Sequence, residues 1–226
     1  MSASDSGGRA LIKRALDISS ALIGLLCLWP VFLVIAVLIK RDSQGPVFFR
    51  QDRIGKDFRP FRMYKFRTMV GDGLGQGSQI TAGDDPRITR VGYLLRRLKL
   101  DELPQLINVL RGEMSLVGPR PEVPQYVEVF RADYEEILSV RPGMTDWASL
   151  AFRDEAAILG GSANPEEMYM RIVLPAKLEL GREYVRRASL AGDVTVIVQT
   201  LMALCRSRPP AVPLNLRRRD EGPPHA

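Results

Sequence analysis

The chain has 226 residues, of which 46% are hydrophobic and 26% charged, a balance that fits one globular domain and excludes disordered, collagen-like and polytopic membrane proteins. Its 32 Lys and Arg residues outnumber its 26 Asp and Glu residues, and the net charge of +6 favours anionic partners such as nucleotides, phospholipid head groups or nucleic acids. Two cysteines, Cys27 and Cys205, exclude a disulfide framework, and the single histidine, His225, excludes a His-based triad. Any catalysis must therefore use carboxylates, Lys, Arg or a bound metal.

Both ends of the chain are expected to lie outside the folded core. Residues 1–12 begin with small polar side chains and predict a mobile N-terminal tail. Residues 207–226 contain several prolines and three consecutive arginines, which predict a disordered basic tail. Between the tails the sequence divides into an apolar segment, 13–41, and a longer region, 42–206, that is expected to form the globular domain.

An uncharged stretch at 18–39 is apolar enough and, at ~33 Å as a straight helix, long enough to cross a bilayer. Pro30 lies near its middle, where the missing N–H predicts a bend or break. Basic residues flank both ends, whereas a single crossing normally leaves them on the cytoplasmic side only. The residues fit either a Pro-kinked spanning helix or a re-entrant helix over 13–41 that leaves the membrane on the face it entered.

The sequence after the apolar segment predicts a β-hairpin and then several helices. β-Rich runs on both sides of Gly55, Lys56 and Asp57 indicate the hairpin. A glycine-rich segment at 71–83 indicates a flexible loop. Apolar periodicity predicts helices at 85–98, 101–111, 122–140, 164–174, 177–188 and 193–205. The region after the apolar segment is therefore expected to be mostly helical with little sheet.

Two adjacent carboxylates, Asp101 and Glu102, begin one of these predicted helices within an Arg-rich region. In one interpretation Asp101 is a helix N-cap and Glu102 a first-turn acid favoured by the helix dipole. In the other, the helix N-terminus and neighbouring guanidinium groups hold Asp101 ionised, as a nucleophile must be, and form a site that attracts phosphate. The residues alone leave both interpretations open.

Basic residues, several of them beside Gly or Pro, form a second set of candidates. A single such residue is normally a solvated surface charge, but several in rigid segments can clasp a pyrophosphate through bidentate guanidinium contacts. The candidates are Lys65, Arg67, Arg96, Arg120, Arg141 and Arg153. The sequence has no P-loop or dinucleotide-binding glycine pattern, and the aromatic and basic residues at 58–66 are a weak signal for single-stranded nucleic acid.

Four motifs together resemble the bacterial sugar transferase family, the monotopic phosphoglycosyl transferases. They are KRxxD at Lys13, Arg14 and Asp17, YKFRTM at 64–69, LDELPQLINVLRGEMSLVGPRP at 100–121 and VRPGMT at 140–145. The resemblance covers nearly the whole chain outside its tails, and the third motif is long and specific. It implies transfer of a sugar phosphate from a UDP-sugar to polyprenyl (undecaprenyl) phosphate in the bacterial cytoplasmic membrane, the first membrane step of glycan synthesis.

The resemblance also implies roles for individual residues. Asp101 matches the family's nucleophile and Glu102 its dyad partner, and the family uses Mg²⁺, which two carboxylates and the substrate phosphates suit as ligands. The family's remaining active-site positions fall in this chain on Lys65, Arg96, Arg120, Arg153 and Asp193. For Asp193, a role as a helix N-cap is an equal alternative.

Lys13, Arg14 and Asp17 match the motif at which the family's re-entrant helix enters the membrane. Trp29 stands before Pro30 where many members have Ser, so one hydroxyl that can hydrogen-bond the free backbone groups at the break is missing.

From the predicted elements and the resemblance, the expected fold is α+β and mostly helical. A membrane-inserted re-entrant helix, broken near Pro30, precedes a small cytoplasmic domain with a β-hairpin.

The resulting hypothesis is a two-step exchange on the cytoplasmic face of the inner membrane. Asp101 attacks the sugar-bearing phosphorus of a UDP-sugar, UMP leaves, and polyprenyl phosphate then accepts the phosphosugar. The expected partners are the UDP-sugar, polyprenyl phosphate and membrane phospholipid, not nucleic acid, with a homodimer left open. The rival class is a non-enzymatic, membrane-anchored basic protein that binds lipid or nucleic acid, and a hydrolase that transfers the phosphosugar to water is a second rival. Residues 145–149 depart from the common family pattern, so no particular sugar is predicted.

Overall fold

The structure is a computed structural model that describes residues 3–70 and 85–205. Its helices are α1 (Ala3–Asp42), α2 (Arg90–Arg97), α3 (Gln105–Arg111), α4 (Pro124–Val129), α5 (Arg131–Ile137), α6 (Trp147–Ala151), α7 (Glu155–Gly160), α8 (Pro165–Met168), α9 (Leu174–Arg187) and α10 (Leu190–Cys205). Its strands are β1 (Phe48–Ile54), β2 (Pro60–Phe66), β3 (Ser115–Val117) and β4 (Gly143–Thr145). Helix predominates, as predicted. The predicted loop at 71–83 and the predicted tail at 207–226 lie outside the described residues.

Helix α1 differs from its prediction at both its start and its middle. It begins at Ala3, within the segment predicted to be a tail, and it continues through Pro30, where the sequence predicts a bend or break, so the helix is not broken there. An internal proline costs a helix about 3 kcal/mol, because it removes one hydrogen bond and crowds the carbonyl four residues earlier. Both halves of α1 pack against the domain, and this packing offsets that cost. By length and composition α1 can cross a membrane.

One face of α1 packs against the domain from Asp17 to Ile39. The residues on this face recur every three or four positions, which is the helical period. They are Asp17, Ala21, Leu25, Leu28, Phe32, Ile35 and Ile39. The opposite face is apolar and exposed, and Trp29 on it is 62% exposed. An exposed apolar face of this length suits contact with lipid better than contact with water.

Strands β1 and β2 form the predicted antiparallel hairpin, paired from Phe48 with Phe66 to Ile54 with Pro60. A tight turn, Lys56–Phe58, connects them at the predicted position. Along β2 the side chains of Phe61 and Met63 enter a core cluster shared with α1 and α3. Since alternate residues of a strand share a face, Lys65 lies on the same face as these two, at the end of the buried strand. This position brings a cation close to the protein interior.

A parallel pair of short strands, β3 and β4, is absent from the sequence predictions. The pairing begins with Ser115 opposite Gly143. A strand of three residues has no detectable alternation, and its partner lies far along the chain, so no local signal reveals it. The two backbones nearly touch, since a Cβ atom on Gly143 would lie 2.1 Å from the nitrogen of Gly118. Glycine is therefore required at this crossing, which places the segment carrying Arg120 beside the start of α6.

The helices of the second half keep their predicted locations but change their bounds. The predicted helix at 122–140 is two helices, α4 and α5. The predicted helices at 164–174 and 177–188 form one run from α8 to α9 through a widened turn, Tyr169–Val173. This turn lies just before Pro175, which has no N–H to donate to the preceding turn. Helices α6 and α7 are not predicted, and α4, α5, α8 and α9 enclose the largest core cluster.

Candidate active site

A cavity of about 610 Å³ collects most of the predicted site residues. It is lined from the hairpin, the turn before α3, the segment after β3, and helices α6, α9 and α10. The predicted residues that line it are Lys65, Arg67, Arg96, Asp101, Glu102, Arg120 and Arg153, whereas Arg141 is not among the lining residues and donates to the Gly112 carbonyl at 2.9 Å. Asp193 is not among the lining residues. The fold therefore brings together residues from two of the four motifs, at 64–69 and 100–121, with Arg96 and Arg153, which lie outside the motifs.

Glu102 is held by two cations inside this cavity. Lys65 Nζ donates to Glu102 Oε1 at 3.0 Å, and Arg120 donates from Nη1 to Oε2 at 3.2 Å and from Nη2 to Oε1. Burial opposes ionisation of this carboxyl group, but Arg120 and Lys65 outweigh burial and hold the pKa of Glu102 well below its usual range. Glu102 is therefore ionised, and both of its oxygens are occupied by the protein's own cations.

Asp101 has a different environment from its neighbour. It is 7% exposed, and its Oδ1 has no hydrogen-bond partner within the described residues. The N-cap interpretation is wrong, because Asp101 lies in a tight turn, Leu100–Glu102, and α3 begins only at Gln105. The expectation that the helix N-terminus and neighbouring guanidinium groups favour the ionised form of Asp101 also differs from the structure. Burial raises the pKa of Asp101, and the positive charge of Lys65 offsets this effect only in part.

Arg120 is positioned by Asp146, a buried residue that the sequence predictions missed as a site residue. Asp146 Oδ2 accepts a hydrogen bond from the backbone N–H of Arg120 at 3.2 Å, and Oδ1 accepts one from Ser149 N at 2.7 Å. The second bond caps α6 at its N-terminus. One carboxylate thus joins the start of α6 to the segment that carries Arg120. An Asp three residues before a Ser at a helix start was an available signal for the cap, but nothing local links it to Arg120.

Arg96 enters the cavity from α2. Its Nε donates to Thr68 Oγ1 at 3.0 Å, just beyond the end of β2. The helix can lie this close only because position 92 is glycine, since a Cβ atom on Gly92 would lie 2.1 Å from the Thr68 carbonyl oxygen. Gly92 therefore allows α2 to lie against the strand end, and Arg96, about one turn later, reaches the cavity.

Arg153 lines the cavity on the side formed by α10. It donates from Nη1 to the backbone carbonyl of Ala203, and its own carbonyl accepts a bond from Lys99 Nζ at 3.5 Å. The guanidinium group is thereby anchored to the last turns of α10. This contact explains how a helix distant in sequence closes one wall of the cavity.

Asp193 anchors α1 instead of lining the cavity. Lys13 Nζ bonds to Asp193 Oδ2 at 2.5 Å, and Tyr184 OH donates to Oδ1 at 2.8 Å. The predicted cap role is wrong as well, because α10 begins at Leu190 and the hydroxyl of Ser189 accepts the capping bond from the backbone. The predicted contact of Asp193 with substrate therefore has no support from its location.

The KRxxD motif joins α1 to the domain. Lys13 Nζ also donates to the Val117 carbonyl at 3.0 Å, and Asp17 Oδ1 accepts from Leu116 N at 3.0 Å. Arg14 donates to the last carbonyls of α3, at 2.7 Å in the case of Val109. A cation at a helix C-terminus is favoured by the helix dipole. The motif thus fixes the polar start of α1 against β3 and α3.

The sequence predictions also missed a second group of charged residues in the same cavity. They are Arg53, Glu122, Glu155 and Lys177. Arg53 pairs with Glu122, and Lys177 pairs with Glu155. These residues lie outside the four motifs that carry the resemblance, so neither pattern nor spacing indicated them.

Comparisons with known proteins identify the family of this chain. The chain matches the bacterial sugar transferase family over residues 8–207 and belongs to that family. It is 40% identical to a UDP-N-acetylgalactosamine-undecaprenyl-phosphate N-acetylgalactosaminephosphotransferase of Aeromonas hydrophila, over 86% of this chain and 44% of that protein. It is 41% identical to a UDP-glucose:undecaprenyl-phosphate glucose-1-phosphate transferase of Escherichia coli, over 87% of this chain and 40% of that protein.

A shorter relative is covered nearly completely. The exopolysaccharide production protein ExoY of Rhizobium meliloti is 35% identical over 89% of this chain and 88% of its own length. By contrast, the chain spans less than half the length of the two transferases above.

Proposed function

We propose that this protein transfers a sugar 1-phosphate from a UDP-sugar to membrane polyprenyl phosphate and releases UMP. The observation that carries the proposal is the contrast between two adjacent carboxylates. Both oxygens of Glu102 are bound by Arg120 and Lys65, whereas Oδ1 of the buried Asp101 has no partner in the part of the chain described. A carboxylate with an unoccupied oxygen among cations suits attack on a phosphorus atom. The names of the relatives support undecaprenyl phosphate as the acceptor.

The reaction proceeds in two displacements. An oxygen of Asp101 attacks the phosphorus that bears the sugar, and the bond from that phosphorus to the UMP oxygen breaks, so UMP leaves with the electron pair. A phosphate oxygen of the polyprenyl phosphate then attacks the same phosphorus and releases the Asp101 carboxylate. Two steps are favoured because the departing nucleotide and the incoming lipid phosphate are both anionic and need not occupy the site together.

The cations have separate tasks in this scheme. Arg120 and Lys65, oriented by Glu102, face the phosphoryl oxygens, where they offset the negative charge that develops in each displacement. Arg96, held by Thr68, approaches the same region from α2. Glu102 is therefore assigned to positioning the two cations, because its own oxygens are already bonded.

The described residues around Asp101 offer Mg²⁺ one unoccupied carboxylate oxygen. No group of three or more acidic, His or Cys ligands occurs among the described residues, and Glu102 is occupied by cations. Asp101 Oδ1 remains for one protein ligand, which suits an ion held mainly by substrate phosphates and water. When bound, Mg²⁺ would neutralise charge on the phosphoryl oxygens. Glu102, which was predicted as a second ligand, would have to give up a contact with Lys65 or Arg120 to hold the ion directly.

UMP release from UDP-sugars, measured on the full chain in phospholipid with Mg²⁺, tests the function. We expect sustained release only when polyprenyl phosphate is present. Without the lipid we expect a burst of about one UMP per protein, as a covalent intermediate requires. Sustained release without the lipid would instead indicate a hydrolase, and no release at all would indicate a binding protein.

The contacts of α1 support a location at one face of the membrane. Just before the apolar stretch 18–39 Asp17 bonds to Leu116, and just after it Asp42 accepts from Val91 N at 3.0 Å, so one domain holds both ends of this stretch. A straight spanning helix would place these ends ~30 Å apart on opposite sides and the charged domain within the hydrocarbon. We therefore assign both ends of the apolar stretch, and the cavity, to the cytoplasmic face of the inner membrane, where sugar nucleotides occur.

Labelling of single cysteines tests this topology. Arg9→Cys and Gln44→Cys, each in a background of Cys27→Ser and Cys205→Ser, place one thiol at each end of the apolar stretch. A membrane-impermeant maleimide is expected to label both thiols in inside-out vesicles and neither in intact spheroplasts. Lysed membranes give the total label for each thiol. Labelling of the two positions from opposite sides would establish a spanning helix and refute the assignment.

A substitution at Asp146 tests whether this residue positions Arg120. Asp146→Ala removes the cap of α6 and the bond to the Arg120 backbone, and we expect UMP release to fall by roughly 10- to 100-fold because a small displacement of a site residue is costly. Asn164→Ala is the matched control, since Asn164 caps α8 through Glu167 N at 3.2 Å. Each substitution should lower the free energy of unfolding by about 1 kcal/mol. Equal activity losses in both variants would contradict a positioning role.

A further inference from the structure

The cavity has a second charged region whose charges are paired with each other. We call it the paired-charge end and define it by Arg53, Glu122, Glu155 and Lys177. Arg53 Nη1 donates to Glu122 Oε1 at 2.8 Å, and Lys177 Nζ donates to Glu155 Oε2. Tyr169 OH also donates to Glu122, and Lys177 Nζ lies 5.0 Å from the centre of the Tyr169 ring. Two cations thus balance two carboxylates beside aromatic surface.

The two ends of the cavity differ in charge. Around Asp101, the cations Lys65, Arg96 and Arg120 outnumber the carboxylates, so that end attracts phosphate. At the paired-charge end each cation has its own carboxylate, and the local charge is zero. A phosphate would meet Glu122 and Glu155 there and be repelled. A neutral ligand rich in hydroxyl groups suits it better, because carboxylates accept and Arg and Lys donate hydrogen bonds.

Two buried polar atoms without partners belong to residues of the cavity wall, one of them in the paired-charge end. Arg53 Nε and Ser149 Oγ are both inaccessible to solvent and make no hydrogen bond within residues 3–70 and 85–205. Both residues line the cavity. A buried donor or acceptor left unpaired costs about 1–3 kcal/mol, so such groups in a cavity wall indicate contacts that a ligand completes.

The paired-charge end lies in the same cavity as the proposed reaction centre. Phe49 lies opposite Lys65 in the hairpin, and Arg53 lies four residues further along the same strand face, roughly 13 Å from Phe49. On the other wall, Glu155 is close enough to Arg120 to add to the rise in its pKa caused first by Glu102. In the donor, the sugar is bonded directly to the attacked phosphorus, whereas the nucleoside lies one phosphate further away.

We propose that the paired-charge end binds the sugar ring of the donor and discriminates between sugars by their hydroxyl groups. This inference rests on the proposed function, which places the sugar-bearing phosphorus beside Asp101. Glu155, Lys177 and Ser149 supply the discriminating hydrogen bonds. A sugar that lacks or inverts a matching hydroxyl leaves these groups unpaired and is selected against.

Donor selectivity of two variants tests the proposal on the full chain in phospholipid nanodiscs. Glu155→Gln keeps the shape and removes the charge, and Ser149→Ala removes a hydroxyl that has no partner to lose. The panel is UDP-glucose, UDP-galactose and their N-acetylamino counterparts. We expect Glu155→Gln to change the ratio of kcat/KM between the best and the other donors by roughly 10- to 100-fold, and Ser149→Ala by about 2- to 10-fold.

Inhibition by UMP, which lacks the sugar, shows whether the paired-charge end binds the sugar or the nucleoside of the donor. Its inhibition constant should stay within about twofold in both variants, since sites without shared contacts act independently. The matched control is Glu136→Gln, which breaks the exposed pair with Arg186 and should leave selectivity unchanged. If UMP inhibition weakens together with donor use, this end binds the nucleoside. If kcat/KM changes by the same factor for all donors, the paired-charge end does not discriminate between sugars. Either result overturns the proposal.

A failure of the proposed transferase activity gives a different result. In that case the wild-type chain releases no UMP from any donor, and calorimetric binding of the same UDP-sugars replaces kcat/KM as the measure. Changed selectivity of binding in Glu155→Gln still supports the sugar site. Unchanged selectivity, or no binding of any UDP-sugar by the wild-type chain, refutes it.

Discussion

Asp101→Asn is expected to lower UMP release by roughly 10⁴- to 10⁶-fold, the scale of loss when an enzyme's nucleophile is removed. The amide has nearly the shape of the carboxylate, but it has no negative oxygen with which to attack phosphorus. The burst of UMP without lipid should disappear together with turnover. Steady-state and rapid-quench measurements on the same protein preparation give both quantities.

Asp52→Asn is the matched control for this variant. Asp52 lies on the hairpin with its side chain 72% exposed and forms only a 3.6 Å ion pair with Arg62. It should keep wild-type activity, and both variants should keep the wild-type melting temperature and membrane fraction. Near-normal UMP release by Asp101→Asn would show that another group attacks the donor. A phosphosugar adduct found on a different side chain by mass spectrometry would lead to the same conclusion.

Arg120→Lys is expected to lower kcat/KM by roughly 10²- to 10³-fold, although it conserves the charge. Arg120 contacts both oxygens of Glu102 at once, through Nη1 and Nη2. A lysine ammonium group is a single point donor and cannot reproduce this planar fork, so Glu102 loses one partner and the cation moves relative to the phosphoryl group. Initial rates at saturating polyprenyl phosphate give the size of the loss.

Arg186→Lys provides the same chemical change away from the cavity. Arg186 forms a comparable two-bond contact with Glu136, at 2.8 and 3.0 Å, on the protein surface. Exposed ion pairs contribute about 0–1 kcal/mol, so this variant should change neither stability nor activity appreciably. A similar loss in both variants would mean that Arg120 acts through general stability. Activity equal to wild type in Arg120→Lys would remove the bidentate contact from the mechanism.

The contacts of Asp101 and Glu102 give the two neighbouring carboxylates different roles in the proposed mechanism. Glu102 attracts Arg120 and Lys65 strongly, which leaves Asp101 close to positive charge but without a direct bond to it. A carboxylate that is itself tied to a guanidinium group would have its oxygens occupied and would be a weaker nucleophile. In the proposed mechanism, Glu102 therefore orients the cations and Asp101 attacks the donor.

Local patterns were sufficient for several parts of this protein. Alternation and turn residues located the hairpin, apolar periodicity located most helices, and the long motif around Asp101 indicated the family. These features depend on residues close together in the chain, where spacing translates directly into a shared face. Most of the candidate basic residues of the predicted phosphate site also line one cavity, and Arg141 is the exception.

Other features depended on contacts between distant segments. The charge balance at Asp101 results from burial together with Lys65, which comes from a different element. Asp193 lies near the C-terminal end of the chain yet anchors Lys13, and Ser115 pairs with Gly143 in a sheet with no local signal. Sequence spacing carries no information about such pairs.

The amino-acid sequence by itself therefore determined the family, the hairpin, most helices and the pair of acids at which chemistry is proposed. Only the tertiary structure decided which acid is bonded to cations and which has an oxygen without a partner among the described residues. It also decided that one domain holds both ends of the apolar stretch of α1, and that paired charges line a second part of the cavity. The physical reason is the separation along the chain of the residues that interact. Periodicity and capping act over a few residues, whereas burial and electrostatic pairing depend on which distant segments the fold places side by side.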